Sequence, residues 1–275
     1  MASPAKQRAS SSSSAVARAR GKSKPVRAPR AGGLWNTVKS YGTALLFFLV
    51  VRAFLVEAFR IPSGSMIPTL LVGDWLFVNK LRFGPHVPFT SVNLPGYAEP
   101  QRGDVVVFES PYQADEAAAG RDPTPTLVKR LVGTPGDTLY MRGGLLYVNG
   151  IAQRQGYAGA RQSEGQEGPP TPADGTDPLF EWQGEYALRQ SRFGPAPASP
   201  THDDWGPLVL PERRFMMLGD ARYYSKDGRY WGLVPRENVR GRPLFIYYSY
   251  DTEAGAPFLR AFTEVRWGRI GQAIR

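Results

Sequence analysis

Glycine and proline punctuate this chain so densely that the apolar runs between them stay short: 30 glycines and 25 prolines stand among 275 residues. That spacing suits strands and turns, because proline lacks the donor a helix interior needs and glycine is a poor helix former. Runs rich in β-branched and aromatic residues predict strands over 75–78, 105–108, 127–132, 138–141, 145–148, 215–218 and 243–250. Arg142-Gly143-Gly144 and Asn149-Gly150 read as hairpin turns. The expected fold is mainly β: an antiparallel sheet domain over residues 60–154 and 208–275, interrupted by an insertion at 155–207. In that insertion 16 of 53 residues are Gly or Pro and acids outnumber bases eight to three, so a flexible segment with little core and no chemistry is expected there. Residues 258–275 read as a basic amphipathic tail that packs on the body or touches lipid headgroups.

The start of the chain is different in kind. Residues 1–33 hold eight of the 34 Lys and Arg residues and no acid, so most of the formal net charge of +10 sits there and the rest is nearly neutral. With nothing apolar to bury, this basic leader is expected to be disordered. An apolar stretch follows, YGTALLFFLVVRAFLVEAF at 41–59, and Leu34 to Val51 supplies 18 mostly uncharged residues, enough for a spanning helix. A membrane anchor over 34–59 is therefore predicted, with Arg52 and Glu57 either near the far interface, where charge is tolerated, or within the protein. The cations upstream mark the cytoplasmic side. Val56-Glu57-Ala58 lacks the small residues of a cleavage site, so the anchor is read as retained. The result is a single-pass protein of the inner (plasma) membrane, N-terminus in the cytoplasm, with everything after residue 60 outside. Lipid, rather than nucleic acid, is the expected partner of the leader and anchor.

The chain has no cysteine, which removes thiolate metal sites, disulfides and a cysteine nucleophile. Its only histidines are His86 and His202, and neither a two-histidine metalloprotease motif nor a GxSxG elbow occurs. A serine can still be activated by lysine if burial or a cationic neighbour removes the lysine's proton. Pro62 and Pro68 restrict the backbone around Ser63-Gly64-Ser65, holding two hydroxyls in place just after the anchor. On a strand Lys129 shares a face with Leu127 and Leu131, with the guanidinium of Arg130 next to it in sequence. Each feature alone has an ordinary reading, a polar turn in one case and a snorkelling strand lysine in the other.

Four segments taken together resemble the successive catalytic-domain motifs of bacterial type I signal peptidases: IPSGSMIPTLLVGDWLFVNK (61–80), RGDVVVFESP (102–111), LVKRLVGTPGD (127–137) and GDARYYSKDGRYWGLVP (219–235). The resemblance implies a membrane-bound serine endopeptidase that removes signal peptides from preproteins, with Ser65 as nucleophile and Lys129 as general base. It implies an oxyanion hole from the Ser63 hydroxyl and the Ser65 backbone N–H. It also implies that Ser225 hydrogen-bonds and orients the lysine, while Asp220 with Arg130, and Asp227 with Arg229, form bracing ion pairs. No metal or cofactor is implied, and a monomer is expected. Where many members carry an Asn-Arg-Asp-Asn run, this chain has Ala221-Arg222-Tyr223-Tyr224. Met66, Ile67 and Leu70 are candidate linings for the pockets that take the small side chains of a signal peptide.

Two other classes bear on the same residues. A self-cleaving repressor also uses a serine and a lysine, but no helix-turn-helix pattern precedes residue 60 and the apolar stretch would lack a purpose. An inactive anchored β-domain that only binds peptides predicts that Ser65 resists acylation. A penicillin-binding hydrolase needs SxxK, and the match Ser3-Pro4-Ala5-Lys6 lies in the leader.

Overall fold

The computed structural model describes residues 33–87, 90, 92–154, 182–188, 191–251 and 263–275. The chain divides into two units, residues 1–44 and 45–275. Helix α1 (Leu34–Val50) continues as a wider π-helical turn, Val51–Leu55. The stretch Trp35–Leu55 is 21 residues long with a mean hydropathy of 1.6, long and apolar enough to cross a membrane. Its apolar side chains, Phe47 and Phe48 among them, are exposed.

The anchor drawn to residue 59 from the sequence is too long. Val56–Arg60 is a strand, β1, paired antiparallel with β2 (Asp74–Asn79). Glu57 thereby leaves the apolar segment altogether and meets Lys80 at 3.1 Å.

The remaining strands are β3 (Val105–Glu109), β4 (Thr126–Gly133), β5 (Thr138–Arg142), β6 (Leu145–Val148), β7 (Ile151–Ala152), β8 (Trp205–Val209), β9 (Arg214–Leu218), β10 (Val234–Pro235) and β11 (Val239–Ser249). They form a seven-stranded sheet in the order β1-β2-β11-β3-β4-β9-β10 and a four-stranded sheet in the order β7-β6-β5-β8, with every pairing antiparallel. The large sheet buries both faces of its centre. Val105 and Val107 of β3 join one cluster with Ile61, Met66, Leu70, Leu76 and Ile274, while Val106 and Phe108 join another with Phe83, Leu131, Phe215 and Met217. A strand sealed on both sides reads as a continuous apolar run, which is what Val105-Val106-Val107-Phe108 is.

The small sheet closes over a third cluster containing Leu139, Leu146, Trp205 and Leu208, which also receives Met216 and Leu218 from β9. Each such fully buried side chain is worth roughly 1.5–3 kcal/mol relative to exposure. Trp205 lies within the span read as insertion, so the region's last residues are core, and the coreless segment ends earlier than residue 207. Its described residues 182–188 pack Trp182 and Tyr186 against the same cluster. The hairpin turns fall where Gly143, Gly144, Asn149 and Gly150 all have positive φ, as the favoured two-residue hairpin turn requires. At the C-terminal end, Arg269 bonds both carboxylate oxygens of buried Asp74 and Arg266 bonds Ser249, so residues 263–275 pack on the body; 258–262 lie outside the described residues.

Candidate active site

Ser65 sits in a single tight turn, Gly64–Met66, immediately after β1. Ile61 bonds the backbone of Gly73 and Asp74, Ile67 N–H donates to Gly64 O at 3.0 Å, and Leu70 N–H donates to Met66 O at 2.9 Å. Met66 and Leu70 are core residues, so the turn is fixed from beneath by burial and at both ends by backbone bonds. Gly64 has no room for a side chain: a Cβ would lie 2.9 Å from Ile67 Cδ1 and 3.3 Å from the Tyr224 ring. Ser65 is 8% exposed, and Ser63 before it is exposed.

Lys129 comes from β4, opposite Val106 of β3. It shares a face with Leu127 and Leu131, both of which pack into the Phe83 and Phe108 cluster. The side chain is 4% exposed and Nζ lies 2.6 Å from Ser65 Oγ. Burial pushes the pKa of the ammonium down to about 8. The carboxylates of Asp227 and Asp220 oppose that shift, and the positive charge of Arg229 assists it. The cation that acts on Lys129 is thus Arg229 and not its sequence neighbour Arg130, because alternation along the strand turns Arg130 to the opposite face.

There Arg130 forks onto Asp220, with Nε to Oδ1 at 2.7 Å and Nη2 to Oδ2 at 2.6 Å. The Thr69 hydroxyl donates to the same carboxylate, and Arg130 Nη1 donates to Gly103 O at 2.8 Å. Asp227 and Arg229 make a second fork, completely buried, at 2.8 Å on each arm. Burial works against the Asp227 carboxylate, yet Arg229 and the Gly219 N–H together hold its pKa below the usual range. These two forks fix the ends of the loop that runs from Gly219 to Asp227.

That loop touches the serine directly. Ala221 N–H donates to Ser65 O at 3.1 Å, and Gly219 lies so close that a Cβ on it would be 2.6 Å from the same oxygen and 2.2 Å from Ser225 Oγ. Ser225 is buried beside the pair, but its hydroxyl has no hydrogen-bond partner among the described residues, so the expected bond to Lys129 is not made. The amine spends its short contact on Ser65 instead. Of the residues flagged as pocket linings, Met66 and Leu70 are buried in the core, and Ile67 is half-buried against Gly64.

Sequence reasoning missed Thr69, the backbone of Ala221 and the close approach at Gly219. The first two carry no sequence signal, whereas Gly219 could have been flagged as a glycine at a strand end. The Ser65 hydroxyl thus lies 2.6 Å from a desolvated amine, within reach of a proton transfer between the two.

Residues 34–248 match the family model described as signal peptidase, peptidase S26. Signal peptidase I of Pseudomonas aeruginosa is 36% identical over 228 residues, covering 77% of this chain and 72% of the relative. That of Haemophilus influenzae is 30% identical over 271 residues, covering 81% and 73%. A solved structure, signal peptidase I from Enterococcus faecalis, is 26% identical and covers 52% of this chain and 96% of its own, with a TM-score of 0.29.

Proposed function

This chain belongs to the signal peptidase family, peptidase S26, and from that premise we propose that it removes N-terminal signal peptides from exported preproteins by a Ser65 nucleophile and Lys129 general base. The observation that carries the mechanism is the buried contact of 2.6 Å between Ser65 Oγ and Lys129 Nζ. With its pKa lowered to about 8, Lys129 has a neutral fraction near neutral pH that an ordinary lysine lacks.

In this mechanism the neutral amine takes the Ser65 proton as Oγ attacks the scissile carbonyl. The Ser65 N–H and the Ser63 hydroxyl donate to the developing oxyanion. The ammonium then returns the proton to the leaving amine, and water, deprotonated by the same lysine, hydrolyses the ester. Substrate access has a structural counterpart. Thr126–Lys129 of β4 pair with β3 on one side, whereas β9 joins the other side only from Arg130 onward. An extended peptide laid along that open edge would direct alternate side chains toward half-buried Val128 and the apolar cluster it packs against. Small residues at alternate positions before the cut suit such a lining.

We further propose that Trp35–Leu55 anchors the enzyme in the inner membrane with the basic leader in the cytoplasm and the β domain outside. Substrates tethered in the same plane then meet the enzyme at raised effective concentration. Ser65→Ala and Lys129→Ala test the dyad: each should abolish preprotein cleavage in detergent micelles while the circular dichroism spectrum is retained. Cleavage by either folded variant refutes it.

A further inference from the structure

We propose that His202 is a positioning residue, which holds the catalytic loop from behind and links the small sheet to Ser65. It lies in the span read from sequence as an insertion without chemistry, yet it is 5% exposed. Its Nε2 is 2.8 Å from the carbonyl oxygen of Arg222. A carbonyl only accepts, so Nε2 carries the proton and donates. Arg222 follows Ala221, whose N–H holds the carbonyl of Ser65 at 3.1 Å. One imidazole is therefore separated from the nucleophile by two residues of loop, Ala221 and Arg222, and two hydrogen bonds.

The imidazole is itself fixed by the small sheet. The turn between β5 and β6 donates Gly143 N–H to Asp204 Oδ1 at 3.0 Å and Gly144 N–H to Asp203 O at 3.1 Å. Thr201 and Asp204 close the segment with two further bonds, Thr201 N–H to Asp204 O and Asp204 N–H to Thr201 Oγ1. Tyr223 completes the support: its ring packs 4.9 Å from His202, its hydroxyl donates to Asp203 Oδ2 at 3.2 Å, and a Cβ on Gly144 would sit 2.8 Å from that hydroxyl. On its other side, His202 Nδ1 lies 2.8 Å from Asp203 Oδ1 and 3.4 Å from Arg229 Nη1. Arg229 donates to the same Arg222 carbonyl, so the buried Asp227–Arg229 fork and the small sheet converge on one backbone oxygen. Rigid support of this kind matters because displacement of a reacting group by about 1 Å can cost on the order of a hundredfold in rate.

The inference rests on the Ser65–Lys129 reading, and the experiment separates the two. In the full-length protein in detergent micelles, His202→Phe keeps a ring but removes the donor, and His202→Gln keeps a donor near the place of Nε2. Rates are expressed per Ser65 counted by an acylating titrant. His202→Phe should lower kcat about tenfold with KM for a preprotein unchanged, and His202→Gln should stay within about twofold of the parent. Equal kcat in the parent and His202→Phe, or an equal fall in both variants, overturns the proposal. Activity remaining in the Ser65→Ala control would instead overturn the dyad. If neither variant folds, the parent still decides: with only two histidines in the sequence, imidazole NMR can detect coupling from His202 Nε2–H across the hydrogen bond to the Arg222 carbonyl. That coupling is expected, and a His202 protonated on Nδ1 alone would refute the proposal.

Discussion

Lys129→Met should stabilise the fold while abolishing catalysis, because the base is built at the expense of stability. Folding lowers the lysine pKa from 10.5 to about 8, mainly by desolvation. The folded state therefore binds fewer protons than the unfolded state between those values, and stability rises with pH across them. The penalty is fully present below the folded pKa and disappears as pH rises past the unfolded one. A difference of this size corresponds to about 3 kcal/mol at pH 7 and about 2 kcal/mol at pH 9. Methionine fills similar volume without a charge, but it leaves the Ser65 hydroxyl without its amine partner, a loss of about 1 kcal/mol. The net gain at pH 7 is about 2 kcal/mol, or roughly 4–8 °C in Tm for a domain of this size. Thermal unfolding of parent and variant in the same detergent, at pH 7 and pH 9, measures it. The variant should melt higher at pH 7 and the gap should narrow at pH 9. A variant that melts lower at pH 7, or a gap that does not change with pH, would show that Lys129 is not charged at a cost and would refute the reasoning.

Two further outcomes follow from the same geometry. With a lysine pKa of about 8, the neutral fraction is about one-tenth at pH 7 and one-half at pH 8, so kcat/KM for a peptide substrate should rise about fivefold between them; a flat profile over that range would mean another group supplies the base. Gly219→Ala places a Cβ 2.6 Å from the carbonyl oxygen of Ser65, and the forced shift should lower kcat about a hundredfold in a protein that still folds, whereas parent-like kcat would show that the loop yields without moving the serine.

The interior strands were legible because each of them, from Trp75-Leu76-Phe77-Val78 to Leu145-Leu146-Tyr147-Val148, is an apolar run between turn residues. Val56–Arg60 was not, because a half-buried edge strand that follows an apolar helix without a Gly or Pro between them extends the same hydropathy signal. Trp205–Val209 was hidden for the opposite reason: Gly206 and Pro207 sit inside it, and only its tertiary packing over Leu139 and Leu146 makes it a core strand. In the site, the flanking prolines and leucines marked Ser65 and Lys129 only as a polar turn and a strand lysine, and it was the order of the four segments that paired them as candidates. The influence of Arg229 on Lys129, the unpartnered hydroxyl of Ser225 and the approach of His202 to Arg222 depend on contacts between segments distant in the chain. Local pattern carries no record of these.

The most direct test of the central claim is the site of covalent labelling by an acylating serine-directed inhibitor at pH 8, located by mass spectrometry of the intact protein and its peptides. A single adduct on Ser65 that disappears in Lys129→Met is predicted. An adduct on another residue, or undiminished labelling of Ser65 without the amine, would contradict the proposed nucleophile and base.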